Sequence, residues 1–195
     1  MYKNRRGQFN STVKLYAAFA KHRLIERRGA IPWKRDSRCT RFVREDIKRL
    51  RTSIQGGSVI LGRKTYESIC NVACDPIKNI WGTQVLVMSR NPKYLPLYRH
   101  RLARSVKSLD EALDQAVSQK ICILGGASIY QQCLEREALV DEINLTVINR
   151  DYGAKGIKFP DFNESDFEKR RLLKLHSSNG TVFEFFSYNR KRGLR

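Results

Sequence analysis

The stretch that decides the fold is Val59–Ser68, Val-Ile-Leu-Gly-Arg-Lys-Thr-Tyr-Glu-Ser. An apolar run stops at Gly62, and two cations and a hydroxyl follow at once. We interpret this pattern as a buried strand that ends at a glycine turn and passes directly into a helix. The free N–H groups and the positive end of a helix dipole favour an anion, and Arg63 and Lys64 add full charges. The stretch therefore predicts a phosphate site.

A second glycine turn of the same kind lies at Ile121–Tyr130, Ile-Cys-Ile-Leu-Gly-Gly-Ala-Ser-Ile-Tyr. Two strand–glycine–helix turns in one small domain suggest a single ligand with more than one phosphate group, such as a dinucleotide. Because glycine is common between strands and helices, either turn alone is equally compatible with an ordinary connection. The two turns together favour the ligand.

The charge of the chain is unusually positive. The chain has 195 residues, of which 41% are hydrophobic, and this fits one domain with a sizeable core. Lys and Arg number 38 against 19 acidic residues, which gives a formal net charge of +19. No acid precedes Glu26, and the tail Asn189–Arg195 is rich in cations. Such a charge predicts salt-dependent attraction to polyanions, RNA included; a solvated surface adapted to an unusual host or compartment is the alternative.

The cysteines indicate a reducing compartment. The chain has five, an odd number, and Cys70 and Cys74 have no second Cys/His pair at zinc spacing. We therefore expect reduced thiols and no metal site. The sequence shows no run of the ~20 apolar residues that a membrane span requires and no apolar signal core near its beginning. The expected location is the cytoplasm or the mitochondrion, and secretion is not expected.

Alternating strand and helix patterns predict an α/β fold with a mainly parallel sheet. The predicted strands are Val13–Ala20, Ser58–Leu61, Gln84–Met88, Lys120–Leu124 and Glu142–Ile148. The predicted helices are Thr40–Ser53, one that begins at Arg63, Leu109–Val117 with Ser108 as its N-cap, and Ala127–Leu134. Two further strands within Phe167–Tyr188, joined at Ser178–Gly180, predict an antiparallel edge hairpin. One domain, residues 13–188, would lie between a basic extension, residues 1–12, and a basic tail, residues 189–195.

Asp46 is the acid that helical spacing singles out. It lies one turn from Phe42 and one turn from Leu50, both apolar, so its carboxylate should lean towards the interior. Partial burial raises the pKa of a carboxyl group and makes its charge available to a cationic or protonated ligand. The alternative is a surface acid paired with Lys48 or Arg49.

Several segments carry, in order, a resemblance to a known family. They are Gly29–Trp33, the helix acid Asp46, Val59–Ile69, Val87–Pro92, Ile123–Tyr130, Leu145–Thr146 and Phe159–Pro160. This ordered set, which extends from about Val13 to Tyr188, resembles dihydrofolate reductase. The resemblance implies a single-domain dihydrofolate-reductase-like fold with an eight-stranded, mainly parallel sheet, an antiparallel C-terminal edge hairpin and about four helices. It also implies NADPH-dependent reduction of 7,8-dihydrofolate to 5,6,7,8-tetrahydrofolate, with hydride transfer to the pterin C6.

The resemblance assigns expected roles on the substrate side. Asp46 matches the acid that holds the pterin by paired hydrogen bonds and favours its protonation, and Thr146 matches the hydroxyl that supports this acid. Trp33 and Ile31 match a mobile loop that closes over the nicotinamide and excludes water. The other residues expected at the nicotinamide or the substrate are Ala18, Leu50, Leu124 and Tyr130.

On the cofactor side, the resemblance implies three groups of contacts to NADPH. The phosphates would meet Arg63, Lys64 and Thr65. The 2′-phosphate of the adenosine, which distinguishes NADPH from NADH, would be held by Ser89 and Arg90. The pyrophosphate would lie against Gly125, Gly126, Ala127, Ser128 and Ile129.

The sequence departs from the family pattern at three places. The link Lys34–Glu45 is longer than usual and strongly basic, which makes Asp36 a rival for the active-site acid. Glu26 stands where the first loop normally has glycine. An Arg for the folate α-carboxylate is not evident before the Val85 strand, where Lys78 could substitute as a point charge but not as a bidentate clamp.

Two function classes remain open from the sequence. The first is a working reductase that binds dihydrofolate and NADPH. The second is a catalytically weak or inactive reductase-fold protein that serves as a basic structural or RNA-contacting subunit of a ribonucleoprotein, such as an organellar ribosome. The charge and the missing Arg favour the second class, whereas the acid and the phosphate-binding set favour the first.

Overall fold

A computed structural model describes residues 11–70, 84–96, 103–176, 180–191 and 193. Within these residues four α-helices flank one mixed sheet: α1 Thr40–Ile54, α2 Arg63–Cys70, α3 Leu109–Gln115 and α4 Ala127–Leu134. The strands are β1 Thr12–Ala20, β2 Leu24–Glu26, β3 Ser58–Gly62, β4 Gln84–Met88, β5 Ala103–Val106, β6 Lys120–Ile123, β7 Glu142–Ile148, β8 Ile157–Lys158, β9 Phe167–His176 and β10 Val182–Arg190. Short 3-10 helices lie at Lys21–Arg23, Pro32–Arg35, Ser37–Cys39 and Glu164–Asp166.

The sheet confirms the predicted fold class. Its main path has the order β5-β4-β3-β6-β1-β7-β10-β9. All pairs from β5 to β7 are parallel, and β10 and β9 continue the sheet as an antiparallel hairpin. These are the eight strands that the family resemblance implies, while the short β2 and β8 pair with each other beside β1. The hairpin turn predicted at 178–180 lies mostly outside the described residues.

The central strands are apolar on both faces, because helices cover both sides of a parallel sheet. Ile60 packs into the cluster that contains Leu113 of α3 and Ile129 of α4. Its neighbour Val59 points the other way and packs into the cluster that contains Ile54 of α1 and Tyr66 of α2. The α1 and α2 helices therefore cover one face of the sheet, and α3 and α4 cover the other.

The two glycine turns lie side by side. The β3 and β6 strands are parallel neighbours, so their carboxyl ends reach the same edge of the sheet. Gly62 ends β3, and its N–H donates to the carbonyl oxygen of Gly125 at 2.6 Å. In open α/β sheets ligands bind beyond the carboxyl ends of the strands, so we expect a ligand-binding site at this edge.

The α3 helix begins at its predicted cap. The hydroxyl of Ser108 accepts a hydrogen bond from the backbone N–H of Glu111 at 3.2 Å. The Glu111 carboxylate in turn accepts from the backbone N–H of Lys107 at 2.7 Å. The helix ends at Gln115 rather than at the expected Val117.

The β9 strand forms one edge of the sheet and is mostly exposed to solvent. Its cations are Lys169, Arg170, Arg171 and Lys174. Leu172 and Leu173, which lie between them in the sequence, are 44% and 38% exposed.

The four described cysteines, Cys39, Cys70, Cys122 and Cys133, are free and buried, and Cys74 lies outside the described residues. Among the helices that the structure describes, none has the length and apolarity that a membrane crossing would need.

Candidate active site

Asp46 faces the sheet from α1, as its spacing predicts. Its Oδ1 atom accepts a hydrogen bond from the Thr146 hydroxyl at 2.5 Å. Thr146 lies on β7, next to Ala18 on β1 in the parallel register. Phe42, one turn before Asp46, is buried in a cluster with Phe183 and Phe185. The apolar stripe of α1 therefore fixes the helix so that this carboxyl group meets the hydroxyl.

The pKa of Asp46 is raised above its ordinary value, chiefly by burial. The hydrogen bond from Thr146 and the positive charge of Arg49 both act in the opposite direction. Part of the residue nevertheless stays accessible. A carboxyl group at the bottom of a cleft explains both observations, because surrounding atoms exclude bulk water while one side stays open to a ligand.

Asp46 belongs to a cleft of about 180 Å³. Six residues that the sequence assigned to the site line it together: Ala18, Asp46, Leu50, Leu124, Tyr130 and Thr146. They come from α1, α4, the central strands β1 and β7, and the residue that follows β6, and they are separated by up to 128 positions along the chain.

Several residues of the cleft were not predicted from the sequence, among them Arg49, Ser53, Asn144, Leu172 and Phe185. Arg49 and Ser53 follow Asp46 by three and seven positions on α1, a spacing that places all three on one face of the helix. Helical periodicity could therefore have found them. Leu172 and Phe185 come from the terminal hairpin, and only the position of β10 beside β7 brings them to the cleft.

Tyr130 holds α4 against the central strands. Its hydroxyl lies 2.7 Å from the carbonyl oxygen of Tyr16 and 3.0 Å from that of Leu124. Burial raises the pKa of Tyr130, so the hydroxyl keeps its proton and acts as a donor to these carbonyls. The residue thus fixes one wall of the cleft.

Glycines form the second turn because its packing leaves little room for a Cβ atom. Gly125 has a φ of +81°, and a Cβ atom there would run into the ring of Tyr130. A Cβ atom on Gly126 would lie 3.3 Å from the hydroxyl oxygen of Thr65 on α2. The peptide bond between the two glycines is cis. No side chain caps the N-terminus of α4, which leaves this end of the helix open to an anion.

The expected phosphate contacts gather around the same edge of the sheet. Arg63 opens α2, where it pairs with Glu67 at 3.1 Å and lies over the ring of Tyr94. Lys64 is exposed. Ser89 and Arg90 follow β4, the parallel neighbour of β3, and of these Ser89 is buried and Arg90 exposed. In the second turn Ala127 is partly buried, Ser128 exposed and Ile129 buried.

Two of the residues predicted on the substrate side do not line the cleft. Ile31 is 41% exposed. Trp33 is buried in the cluster that contains Phe42 and Phe185, so it lies behind the cleft wall rather than on its surface. Lys78, the expected substitute for the Arg that binds the folate α-carboxylate, and residues 81–83 lie outside the described residues.

Asp36, the rival acid, is likewise not among the residues that line the cleft. Its side chain is 7% exposed and is paired with Arg38 and Arg150. Hydrogen bonding from Arg38, helped by Tyr152, holds the pKa of Asp36 at about 2. A carboxylate that is already paired with two cations is a poor proton donor, and the geometry therefore favours Asp46 as the acid of the site.

The fold and the cleft define an α/β protein with a cleft towards the carboxyl ends of the central strands, the place where ligands bind in this class of fold. A family model described as dihydrofolate reductase matches residues 12–190. The chain therefore belongs to the dihydrofolate reductase family.

Individual relatives agree with the family match. The chain is 27% identical over 182 residues to a dihydrofolate reductase of Haloferax volcanii, covering 91% of this chain and 83% of that one. It is 30% identical over 181 residues to a dihydrofolate reductase of Neisseria meningitidis serogroup B, covering 91% and 98%. A solved dihydrofolate reductase from Enterococcus faecalis, complexed with NADP(H), shares the fold with a TM-score of 0.71 at 20% identity, over 94% of this chain and 98% of that chain.

Proposed function

We propose that the chain reduces 7,8-dihydrofolate to 5,6,7,8-tetrahydrofolate with NADPH. The observation that carries the proposal is the Asp46–Thr146 pair at the bottom of a cleft whose neighbouring edge bears two glycine turns. A carboxyl group in that position can hold the amino and N–H edge of a pterin by paired hydrogen bonds. Family membership and the relatives' names support the same reaction.

The residues at the glycine turns fit a dinucleotide with a 2′-phosphate. Gly125 and Gly126 offer backbone without side chains, and the open N-terminus of α4 favours an anion. Ser89 and Arg90, beside the end of β4, are proposed to hold the 2′-phosphate, and Arg63 of α2 would add a further cation for the phosphates. When bound, NADPH supplies the hydride that the reaction requires.

The chain's own residues bind, orient and protonate the substrate in this proposal. Asp46, whose pKa burial raises, retains a proton closer to neutral pH than an exposed Asp and so favours protonation of the pterin N5. Thr146 orients the carboxyl group by its hydrogen bond. Leu50 and Leu124 line the cleft with apolar surface and help to exclude water during hydride transfer.

An assay with NADPH and dihydrofolate, run beside titrations with NADPH and NADH, tests the proposal. The wild type should consume NADPH only when dihydrofolate is present, and it should bind NADPH more tightly than NADH. The Asp46→Asn variant should lose about 10²–10³-fold in turnover, because it removes the ionisable group, while its Kd for NADPH stays within about twofold.

The matched control is Glu45→Gln, which removes the exposed neighbouring carboxylate of α1 and should leave turnover unchanged. Full activity in Asp46→Asn would show that the acid is misassigned. Wild-type protein that binds NADPH without turning over dihydrofolate would contradict the proposed reaction.

The alternative role in a ribonucleoprotein has no support in the comparisons, since the relatives described above are named dihydrofolate reductases. The net charge of +19 is compatible with either role, because it concerns solubility and association rather than the chemistry of the cleft. The cytoplasm or the mitochondrion remains the predicted location.

A further inference from the structure

The long link between Trp33 and Asp46 contains a buried carboxylate. Asp36 is 7% exposed in its side chain, although it lies in a segment rich in cations. The guanidinium group of Arg38 donates two hydrogen bonds to this carboxylate: Nε lies 2.8 Å from Oδ1, and Nη2 lies 3.2 Å from Oδ2. The backbone N–H of Arg38 also donates to Oδ1 at 3.1 Å. These three hydrogen bonds stabilise the turn that leads into α1.

The same carboxylate reaches a distant part of the chain. Nε of Arg150 lies 2.8 Å from Oδ2 of Asp36. The hydroxyl of Tyr152 donates to the same oxygen at 2.9 Å. Arg150 and Tyr152 lie in the loop that follows β7, the strand that carries Thr146. Asp36 therefore connects the segment before α1 with the segment after β7.

Beneath this connection lies an apolar cluster that extends to the cleft. Cys39 is fully buried, and its Sγ atom lies 3.5 Å from the hydroxyl of Tyr152. Cys39 shares a cluster with Trp33, Phe42 and Phe185. Because Phe185 lines the cleft, the position of this cluster affects the shape of the cleft wall.

We propose that Asp36 is a positioning residue whose contacts with Arg38, Arg150 and Tyr152, here called the clasp, hold α1 against β7 so that Asp46 meets Thr146. The expected effect of the clasp on catalysis rests on the proposed function. Its expected effect on the position of residues 36–39, the segment before α1, does not.

The energetics support a clasp rather than an ordinary surface ion pair. Exposed pairs contribute little to stability, because water competes with each partner. In this network the side chains of Asp36 and Arg150 are 7% and 23% exposed, whereas that of Arg38 is 51% exposed. Loss of the carboxylate is therefore most costly for Arg150, because it leaves a mostly buried charge without compensation. Asp36 is the shared partner of this network: it accepts hydrogen bonds from Arg38 and Tyr152 and forms an ion pair with Arg150. Its substitution therefore affects every other member.

Alkylation of the cysteines, followed by peptide mass spectrometry, measures whether the clasp opens. In Asp36→Asn, Cys39 should label at least about tenfold faster than in the wild type, because the segment above it opens locally. Cys122 of β6 and Cys133 of α4 are fully buried, so they report global unfolding and should keep their wild-type rates. Removal of the Asp36 charge also lowers the pKa of the Cys39 thiol and would itself speed labelling to some extent.

Arg150→Gln separates these two causes. The charge of Arg150 lowers the pKa of Cys39, so its removal makes the thiol less reactive while it also breaks the clasp. Faster labelling of Cys39 in both variants is the expected result and can arise only from opening.

Steady-state kinetics measures the consequence for the reaction. The kcat/KM for dihydrofolate should fall about tenfold in Asp36→Asn, because α1 no longer holds Asp46 in one position. The matched control is Asp110→Asn, which breaks an exposed two-atom pair between Asp110 and Arg136 (2.6 and 3.0 Å) on α3 and the turn after α4. It should change neither kcat/KM nor the labelling of Cys39.

Three outcomes would overturn the proposal: unchanged labelling of Cys39, equal acceleration at Cys39, Cys122 and Cys133, or a kcat/KM in Asp36→Asn equal to that of Asp110→Asn. The first would show that the clasp does not hold the segment, and the second that Asp36 supports only general stability. A wild type without dihydrofolate reduction would contradict the proposed function instead, and the labelling experiment would still decide whether Asp36 holds the segment.

Discussion

The surroundings of Asp46 act on its pKa in opposite directions. Burial in the cleft raises its pKa, while the hydrogen bond from Thr146 and the charge of Arg49 lower it. Burial has the largest effect, so the folded protein holds the charged carboxylate less favourably than water does. A buried carboxylate whose charge destabilises the folded state is typical of functional sites, which often reduce the stability of the protein that carries them.

This balance predicts how the stability of Asp46→Asn depends on pH. The folded-state pKa of Asp46 lies above the ordinary value of 3.8, so the folded protein binds more protons than the unfolded chain between the two values. The wild-type free energy of unfolding therefore falls as pH rises through that window. Asn cannot ionise, so the variant should be more stable than the wild type near pH 8, and the difference should shrink near pH 4.

Urea unfolding at the two pH values checks this expectation. Glu45→Gln, on the exposed side of α1, is the control, and as a surface substitution it should change the free energy of unfolding by no more than about 0.5 kcal/mol. A difference between Asp46→Asn and wild type that is the same at both pH values would contradict the buried-carboxylate account.

The elements were largely predictable from the sequence because their signals are local. The bounds of β4, β7 and α4 were predicted to the residue, since each is a continuous apolar or amphipathic run between polar or glycine-containing turns. The β5 strand, Ala-Arg-Ser-Val, was missed, because it is short and half polar. Its partner β4 supplies the backbone hydrogen bonds that make it a strand, and a partner is not visible in a local pattern.

The N-cap of α3 allows a test at the level of one element. Ser108→Ala removes the hydroxyl that accepts from the N–H of Glu111 and should cost about 1 kcal/mol in the free energy of unfolding. Urea unfolding of the variant and of Ser68→Ala provides the measurement. Ser68 is an exposed residue of α2, where alanine is the better helix former, so that substitution should be neutral or slightly stabilising. Equal losses in the two variants would contradict the cap.

At the scale of the whole molecule, the order of the strands decides which residues meet. Six predicted residues lie around one cleft, but their proximity follows from the order of the strands in the sheet, which local periodicity does not reveal. Leu172, Phe185 and Phe186 were missed for the same reason. The register of β10 against β9 also shifts between Phe185 and Phe186, and such a bulge breaks the alternation on which a sequence-based assignment of faces depends.

The charged edge strand β9 affects how copies of the chain behave in solution. Unpaired strand edges promote pairing between molecules, and like charges along the edge oppose it. The double variant Arg170→Thr, Lys174→Thr should therefore self-associate at a lower salt concentration than the wild type, as measured by light scattering. The control Arg44→Thr, Lys48→Thr removes the same charge from exposed positions of α1 and should behave like the wild type.

Equal association in both double variants would show that total charge alone keeps the molecules apart. The expected difference means that the highest concentration at which this protein can be stored or crystallised depends on a few long side chains along one outer strand. Chromatography buffers of high ionic strength would then favour precipitation rather than prevent it.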